Sequence, residues 1–514
     1  MNLNEQQLLR LNKADELRRE GIDPYPARSH RTHTTEAALA HFAEVEPTLG
    51  GEHDQELIVV AGRVISSRNM GKSIFTHIRD GHGSLQLYFR RGNLSDEKFD
   101  RFRKMIDLGD FVEARGRLFR TRSGEISVEA IDFELLSKAI NPPPEKWHGL
   151  TDVETRFRQR YADLIANEDV RRVFFIRSAI VRAMRGFFDG EGFLEVETPT
   201  LQPLYGGAAA RPFTTHYHAL DQEFYLRIAD ELYLKRLLVG GFERVYEICK
   251  DFRNEGIDGR HSPEFTMIEF YIAYADYTKV MELCEQMISY VAQQALGTQT
   301  ITWNQHEIDL TPPWRRLPLR DALIETTGID FLEVADQAEM YQRARAVGAD
   351  VDPSTVWPRI VDELFKTFVR PNLIQPTFIV DYPVELSPLA KRSPDNPRLV
   401  ERFQPIIGGI EMGNAYTELN DPMDQLQRFI EQSRDREAGD VDAMMIDEDY
   451  VNALMYGMPP TGGFGLGVDR LTMLLTNQQN IREIILFPHL RSKAAFGFSV
   501  PDETLSTVAT DSDE

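Results

Sequence analysis

The chain has 514 residues, 42% hydrophobic and 27% charged, with a formal net charge of −23, an ordinary composition with apolar material for about two to four domains. No run approaches the ~18 apolar residues of a membrane span, and the polar N-terminus lacks the apolar stretch of a secretion signal. Cys249 and Cys284 make neither a disulfide framework nor a zinc set, so a cytoplasmic protein without membrane contact is expected.

Residues 1–56 predict a helix, a turn at "GIDPYP" and a second helix near "HTTEAALAHFAEV". From Leu57 the apolar period changes to two. "LIVVAGRVISSRNMG", "SIFTHIRDGHGSLQLYFRR", "DFVEARGRLFRT" and "EISVEAIDFELLSK" predict a small barrel of the OB type over 57–140, with a helix at "SDEKFDRFRKMI". Leu57 to Ser137 carries 14 Lys/Arg against 11 Asp/Glu. This locally basic module could meet a polyanion while the acidic remainder repels stray ones. The prolines of "NPPPEKWHG" open a linker, expected over 141–165.

A helix is expected at "DVRRVFFIRSAIVRAMRGFFDGEGF", opening a second domain over 166–491, followed by extended "FLEVETPTL". Strands are expected at "EFYLRI", "RVYEICKDFR", "EFTMIEFYIAY", "PTFIVDY" and near "PIIGGIEMGNAYTEL". Residues 315–370 predict a helical insertion. A helix follows at "PMDQLQRFIEQSRDRE", then a glycine-rich turn, the helix "GVDRLTMLLTN" and "IREIILFP". Residues 492–514 predict a disordered acidic tail.

Three stretches carry chemistry. In "FRNEGIDGRHSPEF", Arg253 ends an apolar strand, and Arg260 and His261 lie across a turn from it. Phe265 follows on the return strand, with Glu269 on the same face. Cations at two places suit phosphate oxygens, an aromatic plate suits a purine, and the carboxylates suit a second, cationic substrate. An exposed hairpin loop is the plain alternative. In "PPTGGFGLGVDRL" the glycines enter a helix whose N-terminus and Arg470 favour negative charge. It is neither a dinucleotide fingerprint nor a P-loop, and the lone Gly71–Ser73 "GKS" lacks the preceding glycine. In "RFQPIIGGIEMGNAYTELND", Glu411, Asn414 and Glu418 offer oxygens for magnesium bridging phosphates or for a cationic substrate.

Together "GFLEVETPTL", "FRNEG…RHSPEF" and "GFGLGVDRL" resemble motifs 1, 2 and 3 of the class II aminoacyl-tRNA synthetases. "GGAAARPF", "ADELYLKRL", "NAYTELNDP" and "PPTGGFGLG" resemble the lysyl enzymes. The resemblance spans about residues 5–491. It implies an α+β protein: an OB-type anticodon-binding barrel, then a catalytic domain with a mostly antiparallel sheet flanked by helices. It further implies a homodimer that activates L-lysine with ATP and transfers it to tRNA(Lys), with Mg2+ as cofactor. Arg253 and Arg470 would be catalytic, and Arg253, Glu255, Arg260, His261, Phe265, Glu411 and Arg470 would bind ATP. Gly207, Glu231, Arg253, Glu269, Tyr271, Asn414, Tyr416 and Glu418 would bind lysine. Arg68, Phe75 and Gln86 would read the anticodon, although alternation alone equally permits a core Phe75.

The chain departs from the family where Gln404 stands for a glutamate that would share a metal with Glu411. It also has Ile410 for an arginine and Met455 for a common acid. The loss of one negative and one positive charge suggests a compensated metal site formed by Glu411 and Gln404. A non-catalytic RNA-binding paralogue is the alternative function, opposed by the retention of Arg253, Phe265, Glu411 and Arg470.

Overall fold

The structure, a computed structural model, describes residues 3–50, 53–144, 150–437 and 445–491. These form two compact units: an N-terminal one to residue 152 together with 161–166, and a larger one of 153–160 and 167–490. In the first, helix Glu5–Arg19 starts at a reciprocal cap between Asn4 and Gln7, which satisfies two otherwise orphaned backbone donors. Helix Thr35–Val45 follows, capped by Thr34.

Strands Ile58–Asn69, Ser73–Arg79, Ser84–Arg90, Phe111–Arg120 and Ile126–Ser137 then close into a barrel. Helix Asp96–Met105 lies between the third and fourth. The third and fifth strands pair in parallel and the other neighbours antiparallel. Ile74, Ile78, Leu85, Leu87 and Phe89 fill the interior. The alternate positions Phe75, His77, Gln86 and Tyr88 therefore face outward.

The larger unit is organised by one nine-stranded sheet. Across it run Arg315–Pro318, Thr377–Pro383, Leu399–Ile407, Gly413–Thr417, Thr461–Gly467, Glu264–Ala273, Arg244–Phe252 and Leu194–Glu195, with Ile410–Glu411 paired beside Leu399–Ile407. Pairing is antiparallel except at the two ends. On one face Ile268, Phe270, Ile272, Phe403, Ala415, Phe464 and Leu466 pack with residues of helices Glu168–Gly190 and Tyr277–Leu296. Burial of such side chains stabilises by ~1.5–3 kcal/mol each. With the core on that face, the alternate residues of the same strands can carry polar groups on the other.

Several elements differ from expectation. Helices Val153–Arg158 and Arg160–Ala166 interrupt the expected 141–165 linker; its residues 145–149 and the expected tail, 492–514, lie outside the described residues. The glycine-rich "TGGFGLG" is strand Thr461–Gly467, not a turn. Its neighbours on both sides supply the ladder hydrogen bonds that override glycine's weak strand preference. Arg315–Pro318 joins the sheet edge rather than the helical insertion. Helices Leu319–Thr327, Gln337–Ala346 and Trp357–Leu364 share a second core with Ile379, Tyr382, Val400 and Ile406. Helix Tyr277–Leu296 and hairpin Thr300–Trp303/His306–Asp309 lie outside the expected elements.

Candidate active site

Strand register places the site in rows on the polar face of the sheet. Tyr271, Gly463 and Tyr416 lie side by side, and Glu269, Gly465 and Asn414 form the next row. Met267 and Gly467 make a third, with Phe265 beyond. These residues line one cavity of about 810 Å³. The glycines leave room that side chains would fill: a Cβ on Gly463 would lie 2.2 Å from Glu418 Oε1 and 2.4 Å from the Tyr271 ring.

The first two rows form the acidic end. Glu231 starts helix Glu231–Val239, and Glu418 follows strand Gly413–Thr417. Gly207 lines the same end with φ +84°, 3.2 Å by its missing Cβ from that of Glu231. Tyr271 O–H donates to Glu269 Oε2 at 2.9 Å. Asn414 donates to the Tyr416 hydroxyl at 2.6 Å and accepts from Arg402 Nε at 2.9 Å. Glu418 is 1% exposed. Neither of its buried carboxylate oxygens makes a hydrogen bond among the described residues, and Oε2 forms an ion pair with the Lys235 ammonium. Burial pushes the Glu418 carboxyl up to about 8 against the pull of Lys235. Behind this wall, carboxyl oxygens of Asp230, Asp251 and Glu269 lie within 4.8 Å of one another. Burial, then mutual repulsion, raises Asp230 and Glu269. Burial also carries Asp251 to about 6, although Arg253 and Arg227 draw it down.

The other end is cationic. The Arg253 guanidinium lies over the Phe265 ring at 5.0 Å and donates to Ile228 O. Arg260, His261 and Glu255 line the cavity from the segment between the two strands. Asp258 accepts from Arg260 N, His261 N and His261 Nδ1. Slight burial would raise Asp258, but the His261 ring and these N–H groups hold it at about 2. Arg470, in the first turn of helix Val468–Leu475, donates to Glu411 O at 3.0 Å. A side recess of about 80 Å³ is bounded by Arg260, His261, Arg370, Glu411 and Arg470.

Glu411 faces the cavity beside Arg470. This fits a magnesium that takes one protein carboxylate and completes its shell with nucleotide phosphates and water. Gln404 does not fit that role. It is buried, is absent from the cavity wall, and spends its Oε1 on the Tyr382 O–H at 2.7 Å.

All the other residues expected for the nucleotide and the amino acid line the cavity. Sequence reasoning missed Lys235, Arg370 and Arg402. The Glu231-to-Lys235 spacing of four on a helix was a readable signal, and Arg402 shares the alternation of Gln404. Arg370 comes from a distant segment and carries no such signal.

On the barrel, Phe75 is half-buried outside the core and stacks on Tyr88, with centroids 4.8 Å apart. Exposed Arg68 pairs opposite it. Gln86 donates to Glu125 and accepts from Ser127, both at 2.7 Å, while His77 meets Glu125 at 2.6 Å. Tyr88, His77 and Glu125 thus join the expected face.

The family described as tRNA synthetases class II (D, K and N) matches residues 152–491, and the OB-fold nucleic acid binding domain matches 58–136. A lysine–tRNA ligase of Roseiflexus castenholzii is 56% identical over 494 residues, covering 96% of this chain and 100% of its own. One of Bacillus subtilis is 49% identical over 493 residues, covering 96% and 98%.

Proposed function

The chain belongs to the class II tRNA synthetases and, within them, to the lysine–tRNA ligases; on that premise we propose how its residues divide the reaction. The observation that carries the reading is the polarity of the cavity, with carboxylates in the first rows and arginines at the other end. The lysine ammonium meets Glu418 and the Tyr271 hydroxyl, and the α-amino group meets Glu231 and the backbone of Gly207. Asn414, Tyr416 and Glu269 complete that end. Adenine stacks between Phe265 and Arg470 and hydrogen-bonds towards Glu255, while Arg260 and His261 hold the outer phosphates.

A lysine carboxylate oxygen then bonds to the α-phosphorus as the bond to pyrophosphate breaks. Arg253 lies where it holds both the carboxylate and the α-phosphate, and Arg470 offsets charge on the departing phosphates. The protein's contribution is alignment and electrostatic stabilisation. Magnesium, held by Glu411 and phosphate oxygens, would supply further charge neutralisation. The terminal ribose hydroxyl of tRNA(Lys) next attacks the lysyl carbonyl, and AMP leaves.

Arg68, Phe75 and Gln86 form the anticodon face, Phe75 by stacking on a base, and Gln86 reads a base edge only by exchanging its hydrogen bonds to Glu125 and Ser127. A cytosolic homodimer is part of the same reading. The exposed apolar side chains Phe175, Leu194 and Leu201 support the dimer, and no helix among the described residues is long and apolar enough to cross a membrane. Lysine-dependent ATP–pyrophosphate exchange tests the reading. Exchange with aspartate or asparagine but not lysine would overturn it, and tRNA binding without exchange at any magnesium level would favour the non-catalytic alternative.

A further inference from the structure

Lys235 is fully buried, yet it is absent from the cavity wall. Its ammonium reaches Glu231 Oε1 and Glu418 Oε2, with the Tyr271 ring centroid 5.9 Å away. Both carboxylates line the cavity, and Glu418 Oε1 has no hydrogen-bond partner among the described residues. Two buried carboxylates this close need a counterion, and here it is placed asymmetrically. Its ion pair with Glu418 is made at Oε2, while neither buried oxygen of Glu418 makes a hydrogen bond among the described residues.

We propose that Lys235 is a positioning and specificity-determining residue: by occupying Glu418 Oε2 it leaves a one-oxygen acceptor that takes an ammonium and refuses a guanidinium. A guanidinium binds a carboxylate best as a fork, through two parallel N–H donors on both oxygens. An ammonium is a compact charge that is satisfied by one carboxylate oxygen and neighbouring acceptors. Lys235 also places a positive charge between Glu231 and Glu418. The inference rests on the lysine reading above and adds to it the basis of discrimination against arginine.

The test compares ATP–pyrophosphate exchange driven by lysine and by arginine in the full-length wild type and in Lys235→Met. The wild type is expected to use lysine; if it does not, the lysine reading falls and this inference with it. In Lys235→Met the lysine KM should rise by about tenfold or more, with kcat and the ATP KM changed less than about threefold. The lysine-to-arginine ratio of kcat/KM should fall by about tenfold or more, because both Glu418 oxygens are then open to a fork. If that variant does not fold, Lys235→Leu, which likewise leaves both Glu418 oxygens without a donor from position 235, is read against the same expectations. A folded variant that keeps the wild-type lysine KM within about twofold, or the wild-type lysine-to-arginine ratio, overturns the proposal. So does one in which lysine and ATP KM rise together.

Discussion

Glu418 has the most exacting environment of any residue in the acidic end. Its carboxyl, raised by burial to about 8 despite Lys235, must lose a proton to pair with a substrate ammonium. The lysine KM should therefore fall up to about tenfold per unit as pH rises from about 6.5, and level off above about 8. Stability should run the other way. The folded protein holds a proton that the unfolded chain releases near its ordinary pKa. That contribution is full below about 4.5 and is lost as pH rises through about 8. Exchange kinetics and urea unfolding across this range check both slopes, and Glu418→Gln should make each shallower, leaving the part due to Asp230, Asp251 and Glu269. Gly463 is constrained for a steric reason. Gly463→Ala would push a methyl into Glu418 Oε1 and Tyr271, so the lysine KM should rise by about tenfold or more while the ATP KM holds.

At the scale of the element, strand Leu399–Ile407 decides what Gln404 can do. Position 404 alternates with Phe403, which packs in the core, and therefore lies on the polar side with Arg402. There Tyr382 takes its oxygen. Gln404→Glu places a charge at a position only 7% exposed, and should cost ~1–3 kcal/mol of stability. The magnesium dependence of exchange should stay unchanged, as a magnesium titration and a denaturant melt would establish. A shifted magnesium optimum would return Gln404 to the metal. Element type was largely legible, since helices Glu168–Gly190 and Val468–Leu475 and the barrel strands follow their apolar periods. Strand Thr461–Gly467 was not, because its glycines mark the site-facing side of a strand whose stability comes from two neighbours remote in sequence.

For the whole molecule, division into a barrel and a catalytic unit predicts separable defects. Phe75→Ala removes a half-buried ring stacked outside the core. It should reduce lysylation of tRNA by a stacking contribution of ~1–3 kcal/mol while leaving lysine-dependent pyrophosphate exchange within about twofold. Parallel charging and exchange assays on the full chain check this. A matching loss in both would place Phe75 in the fold instead of the anticodon face.

Local sequence determined the barrel's alternation, the principal helices and the residue types for phosphate, adenine and a cationic substrate. These depend on period, side-chain chemistry and spacing within one or two elements. The three motifs are joined by family resemblance, not by local sequence. Tertiary structure alone decided which oxygens are spent and which are open: Gln404 on Tyr382, Glu418 Oε2 on Lys235, and Glu418 Oε1 with no partner among the described residues. Burial and hydrogen-bond satisfaction are properties of neighbours far apart in the chain, brought together by sheet register. A sequence names the acceptors; only packing counts their remaining lone pairs.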